Sequence, residues 1–236
     1  MPHSNVVTKV SRFVSNAAGL EKTLRLLQSF SQVVAANSLP PAAAPWLQAR
    51  TQFALGRRYL RFLKFIDAFA LAFEAFSTYS GIIAVLEFGK WSCLGMFLLL
   101  ESCTILDAMG VYLTGWAAGL FVEAMKFWFY SLSMGILLAL VELWDLSGNI
   151  PLESAMRHGD EREDEKVAEK TAQIQKSRAI ERALKRRSAM KKMMIDGCDL
   201  FIPGSITGWL VISSSNVGML CVLSTVLAGF DIWESI

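Results

Sequence analysis

Apolar residues recur at steps of three and four through most of the 236-residue chain, the spacing that places side chains on one face of an α-helix. Val6, Val10, Phe13, Ala17, Leu20, Leu24 and Leu27 make the first such stripe, with Lys9, Arg12, Lys22 and Arg25 away from it. They predict an amphipathic helix, or two joined near Gly19. Pro40, Pro41 and Pro45 then interrupt the pattern. Proline lacks the N–H that a helix interior needs and restricts the residue before it, so residues 37–46 are predicted to be a linker. The clearest periodicity runs over 48–73. On a wheel of 100° per residue, Leu55, Tyr59, Phe62, Ile66, Phe69 and Phe73 fall on one face, and Arg50, Arg57, Arg61 and Lys64 on the opposite one.

Residues 75–145 are apolar but punctuated by Glu87, Glu101, Asp107, Glu123 and Glu142. No uncharged run there reaches the roughly 20 residues of a clean transmembrane helix; residues 127–144, with Glu142 near the end, come nearest. Turn chemistry follows at Ser147-Gly148-Asn149-Ile150-Pro151. Asp160 and Glu163 resemble an N-cap pair opening a long charged helix, whose predicted stop is Gly197. Leu200 to Phe230 is a run of 31 uncharged residues, long enough for one spanning helix. Ser213, Ser214, Ser215 and Asn216 would sit in its middle, facing another helix or a polar seam.

The chain therefore reads as all-α, an integral membrane helical protein in four stretches. Residues 1–74 form amphipathic, membrane-surface helices and 75–146 apolar, membrane-associated helices. Residues 147–199 form a charged, solvent-exposed segment, and 200–236 a transmembrane helix with a short tail.

Composition sharpens this picture. Hydrophobic residues supply 53% and charged ones 19%, and 19 of the 44 charges lie between Arg157 and Lys192. The rest of the chain carries about half the charge density of a soluble domain, roughly one residue in eight against one in four. The net charge of +2 hides the basic run through Lys185, Arg186, Arg187, Lys191 and Lys192, so a uniformly basic nucleic-acid binder is not suggested. The four cysteines show no CxxC spacing and are expected to be free thiols. His3 and His158 have no ligand-like neighbours, so neither a metal site nor a cofactor is expected. The chain has no GxSxG, Walker-type or HExxH motif, and an enzyme is not expected. The first 20 residues lack the apolar core of a cleavable secretion signal.

The basic helix at 48–73 admits two readings. It lies in the membrane plane, apolar flank in lipid and cationic flank towards anionic headgroups, or it packs on neighbours with a solvated basic side. Gly115 with Gly119, and Gly204 with Gly208, have the spacing that lets helices approach closely and self-associate. Glu87 with Lys90 and Glu123 with Lys126 are i,i+3 pairs suited to headgroup level. Glu101 and Asp107 have no such partner and are candidates for an inter-helix polar contact or a pore lining. The basic run before the final apolar stretch argues for the cytoplasmic side, and one crossing beyond it would put Ile236 on the opposite side.

Several stretches together resemble the peroxisomal biogenesis factor 11 family. Gly19-Leu-Glu-Lys-Thr-Leu-Arg-Leu-Leu-Gln28 resembles its opening D-K-x-x-R-x-x-Q helix, with Glu21 in place of Asp. Leu55, Gly56, Arg57, Leu60, Arg61 and Lys64 resemble its L-G-R-x-x-L-R-x-x-K helix. Lys126-Phe-Trp-Phe-Tyr-Ser-Leu132 is similar to the aromatic helix that follows, and Asp199-Leu-Phe-Ile-Pro-Gly204 through Trp233 to the fungal-type carboxy terminus. The resemblance implies a peroxisomal membrane protein that self-associates, remodels the bilayer through an amphipathic helix and works with dynamin-related fission machinery. It carries the curvature role onto Arg57, Arg58, Arg61 and Lys64 with Tyr59, Phe62 and Ile66. It also implies both tails in the cytosol, which one final crossing does not give; a second span at 127–144 would. The terminal Glu234-Ser235-Ile236 does not match the Ser-Lys-Leu type of peroxisomal matrix address. The alternative function is a channel for small metabolites, with Glu101, Asp107 and Ser213–Asn216 facing water.

Overall fold

A computed structural model describes residues 6–148 and 164–236, and among these all regular structure is helical. The turn at Asn149–Pro151 and the cap at Asp160 and Glu163 lie outside the described residues, as do His3 and His158. Helix α1 (Val6–Ser15) is followed by α2 (Ala17–Ala36), so the first stripe is two helices. Asn16 divides them, its side chain accepting from the Ala18 N–H at 2.9 Å, which satisfies one of the donors a helix start leaves open.

The linker expected at 37–46 shrinks to residues 37–39, and 40–46 are the first turns of α3 (Pro40–Arg61). Pro40 and Pro41 occupy its first two positions, where the missing N–H has no intrahelical partner to lose. The periodic stretch 48–73 is not one helix either. It breaks at residues 62–64, where Leu63 adopts φ 64°, and resumes as α4 (Phe65–Thr78).

Two apolar helices form the middle of the molecule, α5 (Gly81–Cys103) and α7 (Ala117–Gly148), joined through the short α6 (Ile105–Ala108). Helix α8 (Asp164–Thr207) continues through Gly197, the expected stop, because a lone glycine costs a long helix only about 1 kcal/mol. The uncharged run 200–230 is split. Gly208 takes φ 77°, the Leu210 N–H closes the turn on the Gly204 carbonyl at 3.0 Å, and the chain restarts as α9 (Ser214–Ser235). Ser213 is therefore an N-cap, accepting from the Asn216 N–H at 3.3 Å, and not the middle of a span.

The helices close into a ring. Helix α2 lies between α3 and α9, α8 between α9 and α7, and α5 between α7 and α4, while α3 returns to touch α5. A small core of Ala68, Phe97, Leu98, Ala124 and Met125 sits where α4, α5 and α7 meet, with Phe97 and Trp128 stacked at 5.2 Å between ring centroids. Large apolar side chains elsewhere point outwards: Phe73, Leu113 and Trp144 are 72%, 79% and 83% exposed. Water would penalise that surface at about 1.5–3 kcal/mol per large side chain; lipid does not. Helices α5, α7 and α9 are each long and apolar enough to cross a bilayer.

Candidate functional site

Residues 21, 25 and 28 share one face of α2, and 57 and 61 share one face of α3. The α2–α3 hairpin lays these faces together. Glu21 accepts from Arg57 Nε at 2.8 Å, and Arg57 Nη1 donates to the Gln28 side-chain oxygen at 2.8 Å. One turn on, Arg61 donates to both carboxylate oxygens of Glu101 on α5, at 2.6 and 3.1 Å, with Arg58 a further 3.6 Å contact to the same group. Arg58 also stacks over Phe121 at 4.5 Å. The fork of an arginine matches a carboxylate bidentately, so this closure has fixed geometry as well as charge.

Burial alone would raise the Glu21 carboxyl. Arg57, Lys22 and Arg61 outweigh it and hold the group at about 2. Arg57 moves the other way, lowered to about 10 by burial and by the neighbouring Arg61 against the pull of Glu21, so it keeps its charge at neutral pH.

A second polar seam joins α2, α8 and α9. Arg25 pairs with Asp199 and donates to Ser224 Oγ at 3.1 Å, and the Ser29 hydroxyl reaches Cys221 Sγ at 2.8 Å. Gly218 on α9 lets α2 come this close, since a Cβ there would lie 2.7 Å from Val33. No buried side-chain donor or acceptor lacks a partner among the described residues. Periodicity did not single out Glu21, Gln28 or Asp199, and it set Arg25 only away from the apolar stripe, where the structure buries it; all four fall in the stretches that carry the family resemblance.

The faces of the 48–73 stretch are thus inverted relative to the expectation. Arg57 is buried and Arg58 and Arg61 are mostly so, because carboxylates on α2 and α5 offer them more than solvent does. Tyr59, Phe62 and Ile66 point out at 47%, 46% and 58% exposure. Leu55 is half-buried, and Phe69 packs on Gly95. Arg50 is half-buried and Lys64 exposed, and neither has an ion pair among the described residues.

The remaining candidates are scattered. Gly115 and Gly119 face open space, whereas Gly204 is covered by Leu210, whose Cδ1 would lie 2.6 Å from an added Cβ, and Gly208 serves the turn. That second glycine pair is a chain reversal and does not present a flat face to a partner helix. Asp107 accepts from the Thr114 N–H at 2.7 Å, bracing the α6–α7 loop. Glu101 borders a cavity of about 100 Å³ with Gln32, Arg58 and Trp128, and Asp107 borders an adjoining cleft of about 270 Å³ that shares Ala54, Arg58 and Phe121 with it. Ser213–Asn216 border neither of the two.

The split of 200–230 also settles how the tail runs. Helix α8 climbs beside α7, turns at 208–213, and α9 descends beside it. Lys191 on α8 pairs with Asp231 near the end of α9, and Phe13 of α1 packs on Trp233 at 5.9 Å. Both described ends and the basic run therefore lie at one end of the bundle. The 200–230 run is therefore not one span; within it only α9 is long and apolar enough to cross a bilayer, and the end of α8 folds back against it.

The family model for peroxisomal biogenesis factor 11 matches residues 7–233. The chain is 25% identical over 238 residues to peroxisomal membrane protein PMP27 of Saccharomyces cerevisiae, covering 97% of this chain and 95% of that protein. No solved structure matches it. A match from α1 to the last turn of α9 takes in every helix of the ring, and the chain belongs to the peroxisomal biogenesis factor 11 family.

Proposed function

We propose that this protein, which resides in the peroxisomal membrane and takes part in peroxisome proliferation, elongates that membrane by inserting the apolar outer face of its α3–α4 segment into lipid and by self-associating. The observation that carries the reading is the inversion described above: Tyr59, Phe62, Ile66 and Phe73 face outwards while Arg57, Arg58 and Arg61 are neutralised inside. An apolar surface on a broken helix displaces lipid on one side of the bundle. Copies that associate through the open Gly115 and Gly119 face would add their displacements along a tubule. Arg50 and Lys64 remain available to anionic headgroups, each worth roughly 1 kcal/mol near a charged leaflet. The resulting narrow tubule is the substrate on which dynamin-related fission machinery acts.

The test is reconstitution of the full chain into liposomes containing anionic lipid, followed by electron microscopy. Wild-type protein is expected to draw vesicles into tubules, and Phe62→Asp with Ile66→Asp to lose the tubules while keeping helical content. Vesicles that stay spherical at every protein-to-lipid ratio would overturn the proposal.

A further inference from the structure

We propose that the cleft beside Asp107 and Arg58 is a binding site for the headgroup of a zwitterionic phospholipid with a primary ammonium, a phosphatidylethanolamine. The site goes beyond membrane remodelling and makes no use of the outward face of Tyr59, Phe62 and Ile66.

The cleft lies where α3 meets the connection between α5 and α7, and its lining includes Thr51, Arg58, Thr104, Asp107, Ala117 and Phe121. It holds two opposite charges that do not satisfy each other. Among the described residues Arg58 and Asp107 form no ion pair with one another, and Arg58 donates no hydrogen bond; its contacts are the 3.6 Å approach to Glu101 and the face of Phe121. Burial lowers the Arg58 pKa while Glu101 and Asp107 oppose it, so Asp107 acts on Arg58 through the cleft without touching it. The Thr114 N–H and hydroxyl both go to Oδ1 of Asp107, which leaves Oδ2 without a partner among the described residues. An arginine fork with unspent donors takes phosphate oxygens, and an open carboxylate oxygen takes an ammonium N–H.

Location identifies the source of that phosphate and ammonium. Thr104 caps the end of α5 and Ala117 begins α7, and both helices are long and apolar enough to cross a bilayer, so the segment between them lies at a membrane surface. Leu106, Tyr112, Leu113 and Trp116 on that segment are exposed, and tyrosine and tryptophan at the end of a span mark the headgroup level. The cleft volume of about 270 Å³ falls just below the roughly 300–1,000 Å³ of pockets for drug-sized ligands. It therefore admits a headgroup, while the acyl chains run outside it over those apolar side chains. Charge then selects among headgroups. Choline has no N–H to give Asp107 and is ordinarily held on aromatic faces, whereas the Phe121 face is covered by Arg58 at 4.5 Å. Serine adds a carboxylate that Asp107 repels. Ethanolamine supplies N–H donors at one end and the phosphate at the other, with no further charge to place.

The experiment reconstitutes the full chain into vesicles of equal parts phosphatidylethanolamine, phosphatidylcholine and phosphatidylserine, extracts it in mild detergent and counts the retained lipid by native mass spectrometry. The wild type is expected to keep one phosphatidylethanolamine per chain, enriched about ten-fold over each of the other two, as one charge-assisted hydrogen bond would give. Asp107→Asn keeps the oxygen that accepts from Thr114 and should lose the enrichment, with helix content and unfolding midpoint unchanged. Ala118→Leu leaves both charges in place but fills the cleft, which Ala118 also lines, and should lose it as well. Phosphatidylethanolamine retained no better than phosphatidylcholine, or an enrichment that survives either variant, overturns the site. Millimolar free phosphoethanolamine should leave the bound lipid in place; displacement by it would overturn the lipid as the ligand's source. The count is made whether or not the vesicles form tubules, so this reading and the remodelling one each fail by a separate result.

Discussion

Glu101→Gln tests whether the arginine face of α3 is interior. The Glu101 side chain is only 5% exposed, receives both donors of Arg61 and lies 3.6 Å from Arg58. Removing its charge leaves Arg61 with Glu21 at 4.0 Å and Arg58 with only the longer-range pull of Asp107. Breaking a buried pair by deleting one partner costs about 3–5 kcal/mol, since the other charge stays buried. Arg58 keeps its stacking on Phe121 in both proteins, so that contact cancels from the difference, and a loss of at least about 3 kcal/mol is expected. That is a large share of a total stability of about 5–15 kcal/mol. Arg61→Met combined with Glu101→Leu should recover most of it, because an apolar pair of similar volume carries no desolvation cost. The assay is helix content against denaturant in mixed micelles for the wild type, both single variants and the double variant. The difference between wild type and Glu101→Gln should be the same at 0.1 and 0.5 M salt, where exposed charges would be screened. A loss under about 0.5 kcal/mol, or a double variant no better than Glu101→Gln alone, would refute the buried-network reasoning. So would Arg61→Glu that weakens liposome binding in a salt-dependent way without loss of stability.

Four further outcomes follow from individual contacts. Glu21, lowered to about 2 in the fold from an ordinary 4.5, contributes stability that is present above 4.5 and lost as pH falls towards 2; the stability gap between wild type and Glu21→Gln should be constant from pH 5 to 8 and close on acidification. Gly218→Val should cost about 1–3 kcal/mol in the same titration by forcing α9 away from Val33 and the Ser29 carbonyl, with a neutral result excluding the close α2–α9 approach. Gly115→Leu with Gly119→Leu should leave unfolding unchanged, since nothing lies within 4 Å of either site, yet reduce cross-linked oligomers, whereas Gly204→Leu should unfold the α8–α9 turn. Leu63→Gly relieves a left-handed backbone that costs a side chain about 1–2 kcal/mol and should raise stability by up to about 1 kcal/mol, with Leu63→Val lowering it.

The helical class, the membrane character and the family were all legible in residue order. Spacing alone put Tyr59, Phe62 and Ile66 opposite Arg57 and Arg61, and the ordered motifs from Gly19 to Trp233 carried the family. Local rules failed where two features competed at one position. Pro40 and Pro41 read as a break but serve as a helix start, because the first turn has no use for their missing N–H. Gly204 and Gly208 read as a contact face but form a reversal, because Gly208 can take a positive φ that the uncharged run around it does not reveal.

What the sequence by itself determined is the sorting of residues around each helix; what only the tertiary structure decided is which side faces in. Periodicity is the same whether an amphipathic helix turns its greasy side to a core or to lipid. The choice falls to partners far along the chain, here Glu21 36 residues before Arg57 and Glu101 40 residues after Arg61. A buried charge is tolerated only when an opposite one meets it, and that meeting exists only once the ring of helices has closed.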